Sequence, residues 1–482
     1  MQLHMAMDVV HQLDIAQESR ELTNEEFHLR RRLKQRIMGL AVIERARKRQ
    51  ASRIVNLREG DANTKFFHLK ANARRRKNHI QRLQKDGGWA ISHEEKATLI
   101  QDHFEAAMGR PPWQQHDFNW DNLNLQQFNL TSLVDPFTEK EIHEALLQTS
   151  PDKALGPDGF TGAFFQSCWA IVKGDLMATM NSFHAARCVN LDLLNSANII
   201  LIPKKDGAEH ITDYRPISLI HSVAKLIAKV LALRLAPVMK DNISKSQSAF
   251  IRGRSIHDNF QYVRSSTRRF HHNRAPMLPI KLDISKAFDS VRWDYLLSLL
   301  QHIGFPAKWR DWITAILSTS SSQILLNGIP GQHIKYGSGL RQGDQLSPLL
   351  FILAIDPLQR LLNLATEAGL LSKVGRSRAR LRTSMYADDA VIFLRPVKEE
   401  VAVLKHLLHL FGEATGLRTN IHRSSVAPIR CENLDLDDML HDFPAKRTSF
   451  PIKYLGLPLT YRRLRRVDFQ PCLDKAVARL TS

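Results

Sequence analysis

Cysteines, secretion signals and long apolar runs are all scarce in this sequence. Its 482 residues include four cysteines, none in a C-x-x-C pair, so neither a zinc site nor a disulfide framework is indicated. The N-terminal segment MQLHMAMDVVHQLDIAQ lacks the basic stretch and apolar run of a signal peptide. The most apolar run, SPLLFILAIDPL, is interrupted by Asp356 and Pro357 and is too short to span a bilayer. We therefore expect an intracellular chain, nuclear or cytoplasmic, with reduced thiols and no membrane partner.

Acidic residues are also few relative to basic ones. The chain has 68 Lys and Arg against 48 Asp and Glu, which gives a formal net charge of +20. Solvated basic faces on a soluble protein would explain part of this excess, but an imbalance of this size favours a polyanionic partner, nucleic acid first. Hydrophobic residues make up 43% of the chain, which is enough for extensive cores, and the length fits two or three domains.

The N-terminal segment is predicted to be helical and basic. Thr23 and Glu26 have the spacing of a capping box, and apolar residues follow at helical intervals. A second basic run, ANARRRKNHIQRL, leads into a hairpin turn predicted at Asp86 and Gly87. In this run we expect the following residues to contact nucleic-acid phosphates: Arg74, Arg75, Arg76 and Lys77. The alternative is an ordinary solvated helical bundle.

Two acidic sites, far apart in the sequence, carry the strongest chemical signal. In SMYADDAVIFL, Asp388 and Asp389 lie between two strand-like runs, which predicts the tip of a hairpin. In PIKLDISKAF, Asp283 follows an apolar strand. Hairpin turns accept aspartate readily, so a solvated turn is the alternative for the pair. Carboxylates that converge from two strand ends would suit hard divalent cations such as Mg²⁺, and two such ions serve phosphoryl transfer.

Several motifs together resemble those of a known enzyme family. YADD at residues 386–389 resembles the Y-x-D-D signature of reverse transcriptases, and KLDISKAFDSVRWDYL resembles the metal-binding motif that precedes it. Further blocks follow the order found in LINE-type non-long-terminal-repeat retrotransposons, particularly those of plants: GDANTKFFHLKANARRRKN, KALGPDGF, LIPKKDGAEHITDYRPISL, GSGLRQGDQLSPLLF, TGLRTNIHRSSV and KYLGLPL. The resemblance extends from about residue 17 to residue 459.

The resemblance implies an α+β protein with the right-hand polymerase fold, in which fingers accompany a palm whose antiparallel sheet carries the aspartates. Residues 1–110 would form a basic, mostly helical extension resembling the endonuclease–polymerase linker, and residues 111–138 a linker. Residues 139–460 would form the fingers and palm, and residues 461–482 the start of a truncated thumb. We therefore expect a fragment without the upstream endonuclease and most downstream regions that full elements carry.

The resemblance also implies RNA-directed DNA polymerase activity. An RNA template, a DNA primer and dNTPs would be the partners, with Lys453 in KYLGLPL near the primer phosphates. Asp283 and Asp388 would ligate two Mg²⁺ ions, which Mn²⁺ could replace in vitro, and the Ile284 carbonyl would complete a coordination sphere. Asp389 would support the same centre. Catalysis of this kind, in which the primer 3′-OH attacks an α-phosphate, consists of positioning and charge neutralisation.

Residues expected around the incoming nucleotide also follow from the resemblance. Arg215 in DYRPISL would bind the triphosphate together with Lys204, because a guanidinium fork suits phosphate. Gln342 would contact the nucleotide, and Gly343 would let the backbone approach it or the template closely. Phe288 would exclude a ribose 2′-hydroxyl, with a plain core aromatic as the alternative.

Three functions remain open from the sequence. Arg423 stands where the family has a lysine thought to protonate pyrophosphate, and Gln345 stands where a proline is common. Because arginine is a poor acid, these departures allow a catalytically decayed remnant that only binds nucleic acid. A two-metal nuclease or an RNA-dependent RNA polymerase is the third possibility, which Phe288 and the Y-x-D-D motif disfavour.

Overall fold

The computed structural model describes residues 2–52, 72–109, 118–123, 125–151, 153–375 and 382–480. The helices are α1 Gln2–Ser19, α2 Asn24–Ser52, α3 72–78, α4 His93–Met108, α5 Trp120–Leu123, α6 Glu139–Leu147, α7 Gly162–Ser167, α8 Trp169–His184, α9 Leu191–Leu194, α10 Ser222–Asn242, α11 Ile256–His272, α12 Trp293–His302, α13 Ala307–Ser318, α14 Ser347–Ile355, α15 Pro357–Glu367, α16 Lys398–Thr415, α17 Leu436–Met439 and α18 Gln470–Leu480. The strands are β1 Leu83–Lys85, β2 Gly88–Ala90, β3 Ser196–Pro203, β4 Tyr214–Ile220, β5 Leu278–Leu282, β6 Ser321–Leu326, β7 Ile329–Lys335, β8 Thr383–Tyr386, β9 Asp389–Leu394, β10 Ser425–Val426, β11 Lys446–Arg447, β12 Ile452–Tyr454 and β13 Leu457–Leu459. This mixture of helix and sheet agrees with the α+β prediction.

Two sheets organise the larger part of the chain. One has five strands in the order β11-β10-β5-β9-β8, and the other has four in the order β4-β3-β6-β7. In the five-stranded sheet, β5 pairs antiparallel with β9 and β10, and β9 pairs antiparallel with β8. The strands that carry the acidic motifs are therefore antiparallel neighbours, as predicted, while the edge pair β10–β11 runs parallel.

Strands β5 and β9 are apolar along nearly their whole length because a hydrophobic core covers each face of the sheet. Ile280 and Ile392 belong to the main core, whereas Val391 and Phe393 belong to a second core on the other face. Alternate residues of a strand point to opposite faces, so a strand buried on both sides needs an unbroken apolar sequence. These strands are consequently held at a defined depth and register.

The N-terminal segments are part of the packed structure. Residues 80–108 share a core with the four-stranded sheet, in which Phe104 of α4 is buried together with Ile199 of β3. The described part of 111–138 contributes Leu130 and other buried side chains to the main core. Apolar residues in the described parts of both stretches thus pack against the rest of the fold, and the division into an extension and a linker stays a prediction.

Two predictions of local structure near the N-terminus are confirmed. Thr23 Oγ1 accepts a hydrogen bond from the Glu26 N–H at 3.2 Å, and a Glu26 carboxylate oxygen accepts one from the Thr23 N–H at 2.9 Å, which completes the capping box. Strands β1 and β2 pair antiparallel around the predicted turn at Asp86 and Gly87. Local side-chain chemistry was sufficient to predict both features.

The most apolar run of the sequence forms α14 and continues into α15. By length and composition, Ser347–Glu367 is the one helical stretch within the described ranges that could cross a membrane, and 72% of its most apolar window is buried inside the molecule. Phe351 and Ile352 are fully buried in the main core. Burial within the fold accounts for the apolar composition of this stretch.

Candidate functional site

Strands β5 and β9 bring the two acidic motifs to one end of the five-stranded sheet. Leu282, the last residue of β5, pairs with Ala390, and this register leads directly to Asp283 on one strand and Asp389 on the other. Tyr386 pairs with Asp389, so Ala387 and Asp388 form the two-residue turn at the hairpin tip. We call these two residues the Asp388 turn. The predicted hairpin and the predicted meeting of the two motifs are both present.

An open pocket of about 580 Å³ lies at this end of the sheet. We call it the aspartate pocket, and its lining residues are Lys281, Leu282, Asp283, Ile284, Asp388, Asp389, Arg423, Ser425, Arg447, Thr448, Ser449, Pro451, Ile452 and Lys453. Five of them were predicted as site residues from the sequence. The other predicted residues lie outside this lining.

Backbone hydrogen bonds hold the end of β5 in place. The Asn420 N–H donates to the Asp283 carbonyl at 2.7 Å, and the Asp283 N–H donates to the Ser424 hydroxyl at 3.1 Å. The Ser285 N–H donates to the Arg418 carbonyl at 3.0 Å. These bonds flank Ile284, and within the described residues its own carbonyl accepts no hydrogen bond. Ile284, which follows Asp283 in the chain, also lines the pocket.

The electrostatics of the pocket favour a cation next to Asp388. Although the Asp388 side chain is exposed at the pocket, desolvation by its surroundings raises the pKa of the carboxyl, and the negative charges of Asp389 and Asp283 raise it further. Lys281 relieves part of this repulsion, because its ammonium lies 3.2 Å from an Asp389 carboxylate oxygen. Asp389 thus has a protein partner for its charge, whereas Asp388 has like-charged neighbours.

The donor set is suited to a hard divalent ion. Among the described residues, no three His, Cys, Asp or Glu side chains form a metal-binding cluster. The candidate donors here are the Asp283 and Asp388 carboxylates together with the carbonyl of Ile284, which also lines the pocket, since Asp389 is paired with Lys281. Magnesium commonly takes one or two protein carboxylates and completes its shell with water and substrate oxygens. These residues therefore fit such an ion.

Two of the cations around the aspartate pocket, Lys281 and Arg447, were not singled out from the sequence. Arg423, Arg447 and Lys281 line it in addition to the predicted Lys453. Lys453 also lies against Lys475 of α18, whose ammonium lowers the pKa of Lys453. A phosphate group close to both ammonium groups would relieve this repulsion. Lys475 has no sequence signal that sets it apart from other surface lysines.

The predicted triphosphate-binding residues lie on the neighbouring four-stranded sheet. Arg215 is exposed on β4, opposite Ile202 of β3. Lys204 follows β3, and its ammonium donates to the Thr212 carbonyl at 2.7 Å. Burial lowers the pKa of Lys204, and the charges of Arg215 and then Arg423 lower it further. Cations from the two sheets are thus close enough to act on one another.

Gln342 and Gly343 are occupied by protein contacts. The Gln342 amide donates to an Asp289 carboxylate oxygen at 3.2 Å, and this contact helps to orient the glutamine. At Gly343, where φ is +109°, a Cβ would lie 3.0 Å from the Ser218 carbonyl. The backbone at Gly343 therefore does approach another group closely, as predicted, but that group is the backbone of β4.

Phe288 lies in the connection between β5 and α12. Its ring is partly exposed and stacks on the buried ring of Phe351, with 4.6 Å between ring centroids and 19° between ring planes. Its carbonyl accepts a hydrogen bond from the Leu340 N–H at 2.7 Å. One side of the ring is thus fixed by the core, and the partial exposure is compatible with the gate predicted from the sequence.

The predicted phosphate-binding run lies on α3. Its four residues Arg74, Arg75, Arg76 and Lys77 are all exposed. Lys77 forms an ion pair at 2.9 Å with Asp206, which follows β3. The basic sequence between residues 53 and 71 lies outside the described residues.

Residues 202–459, more than half of the chain, match the family model described as reverse transcriptase (RNA-dependent DNA polymerase). The transposon TX1 uncharacterized 149 kDa protein of Xenopus laevis is 29% identical over 64% of this chain and 23% of its own length.

Two Drosophila melanogaster proteins extend the comparison. The retrovirus-related Pol polyprotein from the type-2 retrotransposable element R2DM is 27% identical over 69% of this chain and 31% of its own length. The probable RNA-directed DNA polymerase from transposon BS is 22% identical over 82% of this chain and 43% of its own length. The chain therefore spans less than half the length of each of these relatives.

We predict that Mg²⁺ stabilises the folded protein through the aspartate pocket. Millimolar Mg²⁺ should raise the midpoint temperature of thermal unfolding of the wild-type chain. At an ion concentration of roughly five times the dissociation constant, binding would add about 1 kcal/mol to the free energy of unfolding. Asp388→Asn should abolish this increase, because it removes one ligand charge. In EDTA the variant should be at least as stable as the wild type, since like-charge repulsion is reduced. An equal Mg²⁺ effect on both proteins would contradict the assigned ligands.

Proposed function

Because the chain belongs to the reverse transcriptase (RNA-dependent DNA polymerase) family, we propose that it copies an RNA template by adding dNTPs to the 3′-OH of a DNA primer. The observation that carries this proposal is the convergence of Asp283, Ile284 and Asp388 in one cation-lined pocket. The activity would serve the copying of a non-long-terminal-repeat retrotransposon inside the cell. The motif order further favours an element of the LINE type found in plants.

The two carboxylates and the Ile284 carbonyl would hold two Mg²⁺ ions, or Mn²⁺ in vitro. When bound, such ions supply charge neutralisation at the attacking and leaving oxygens of phosphoryl transfer. Asp283 is held by hydrogen bonds to Asn420 and Ser424, and Asp388 by its place in a two-residue turn. Asp389 and Lys281 balance each other's charge, which keeps the negative potential centred on the two ligand carboxylates.

Cations from both sheets would bind the phosphates. Lys204 and Arg215 would contact the incoming triphosphate from the four-stranded sheet, and Arg423 would contact it from the pocket. Lys453 and Lys475 would bind the backbone of the primer end. In this proposal residues 139–460 make up the fingers and palm of a right-hand polymerase, and residues 461–482 begin its thumb.

A second function is supported by one position in the pocket. Arg423 lines it where the family has a lysine, and a guanidinium is a poor proton donor to the leaving pyrophosphate. A remnant without catalysis would keep the same fold and the same basic surface and would still bind nucleic acid. Primer extension on poly(rA)–oligo(dT) with dTTP separates the two functions, because the remnant would bind this substrate without extending it.

We predict that Asp283→Asn and Asp388→Asn each reduce primer extension by at least about 100-fold, since each removes a charge from the catalytic centre. The measurement is the initial rate of dTTP incorporation at saturating Mg²⁺. Asp438→Asn, which neutralises an exposed aspartate paired with Lys398, is the matched control and should retain the wild-type rate. Undiminished extension by either pocket variant would rule out the two-carboxylate centre.

We predict that Phe288→Val keeps dTTP incorporation and increases UTP incorporation. The ring would leave no room for a 2′-hydroxyl, and exclusion by packing alone provides about two decades of discrimination. The measured quantity is the ratio of kcat/KM for dTTP and UTP on one primer–template. An unchanged ratio in a folded, active variant would mean that Phe288 only packs against Phe351.

We predict that α3 contributes phosphate contacts to RNA binding. Reversal of Arg74, Arg75 and Arg76 to Glu should weaken binding and lower the slope of log K against log salt by about 2, at roughly 0.7 per single-strand phosphate contact. Fluorescence anisotropy across a salt series measures this slope. If the slope of the triple variant equals that of the wild type, α3 is only a solvated surface.

A further inference from the structure

The Asp388 turn contains a residue in an unfavourable backbone conformation. Ala387 has φ of +54°, in the left-handed region where a residue with a Cβ loses roughly 1–2 kcal/mol. Two-residue hairpin turns usually place Gly, Asn or Asp at such positions. The conformation of Ala387 sets the direction in which the next residue, Asp388, leaves the hairpin, so something outside the hairpin must stabilise it.

Gln247 makes the contacts that hold this turn. Its side chain is fully buried, with 0% of the residue exposed. The amide oxygen accepts from the Ala387 N–H at 3.0 Å and from the Ala249 N–H at 3.0 Å. The amide nitrogen lies 3.4 Å from the Ala387 carbonyl and donates to it. Both polar groups of the strained residue are thus bonded to one side chain.

The backbone around Gln247 is itself anchored beside β8. Gln247 forms a parallel bridge with Met385, in which the Met385 N–H donates to the Ser246 carbonyl at 2.7 Å. The Arg254 guanidinium donates to the Gln247 carbonyl at 2.7 Å. Asn259 of α11 donates to the Met385 carbonyl at 2.6 Å. The segment therefore extends the five-stranded sheet past β8 and gives the glutamine a fixed base.

We propose that Gln247 is a positioning residue of the polymerase, and that its side-chain amide holds Ala387 in the left-handed conformation that aims the Asp388 carboxylate into the aspartate pocket. The proposal rests on the proposed function for its effect on catalysis. The clamp itself is independent of that function, because it concerns the conformation of the turn.

An amide is the side chain that satisfies this position. Methionine fills a similar volume but would leave two N–H groups and one carbonyl buried without partners, which is costly. Glutamate would still accept from both N–H groups but could not donate to the Ala387 carbonyl, and it would add a negative charge near Asp388. The requirement for a donor and an acceptor on one planar group is specific to glutamine at this length.

The first test compares two buried glutamines. Gln247→Met should lower kcat for dTTP incorporation by about 10-fold to 100-fold, the range expected for a small misplacement of a catalytic group, with KM for dTTP within about twofold. Gln359→Met is the matched control, because Gln359 is also buried and donates to Asn363 within α15. The control should keep kcat within about twofold. Equal losses of kcat in both variants would overturn the proposal, because they would indicate general destabilisation.

The second test needs no activity. In hydrogen exchange of the purified chain, Gln247→Met should accelerate exchange in a peptide that covers residues 384–390, including the Ala387 amide, while peptides from α15 stay unchanged. Protection equal to that of the wild type would overturn the clamp. If the wild-type chain extends no primer, the polymerase assignment fails, and this exchange result still decides whether the clamp exists.

The third test uses the conformation of Ala387 directly. Glycine adopts positive φ without strain, so Ala387→Gly should reduce the requirement for the clamp. The loss of kcat caused by Gln247→Met should therefore be several-fold smaller in the Ala387→Gly background than in the wild-type background. An equal loss in both backgrounds would separate Gln247 from the conformation of the turn and overturn the proposal.

Discussion

The antiparallel pairing of β5 with β9 is the contact on which the aspartate pocket depends. It places Leu282 opposite Ala390 and thereby sets two acidic motifs, far apart in the sequence, at one end of a sheet. The register is fixed by burial, because Ile392 and Val391 belong to cores on opposite faces and a slip of one residue would exchange them. A shift of that kind would also move Asp283 away from the Asp388 turn. The chemistry of the site is therefore a consequence of hydrophobic packing beneath it.

This arrangement places like charges close together. Desolvation and then the neighbouring carboxylates raise the pKa of Asp388, and Lys281 pairs with Asp389 from the adjacent strand. Basic residues also line the pocket, and within the described ranges none of them forms an ion pair with Asp283 or Asp388. An arrangement with carboxylates at the centre and cations at the rim suits a substrate that is polyanionic and a cofactor that is cationic.

The proposed nucleotide site depends on two sheets and on the loop that joins them in space. The backbone of Gly343 can lie against the Ser218 carbonyl of β4 because glycine has no Cβ. Gln342 is oriented by Asp289, which lies beyond the end of β5. These contacts tie the loop after β7 to both sheets. A substitution that adds a side chain at Gly343 would displace the loop from β4 and alter the position of Gln342.

The sequence by itself determined the local and chemical features of this protein. The capping box at Thr23, the hairpin that carries Asp388 and the family follow from side-chain chemistry over short spans, because caps, turns and motifs are local. Tertiary structure alone decided which residues complete the site. Lys281, Lys475 and Gln247 carry no distinguishing pattern, and each acquires its contact only when a distant segment packs against it. The packing of residues 80–108 onto the four-stranded sheet could not be predicted from the sequence for the same physical reason, since burial is set by the whole chain.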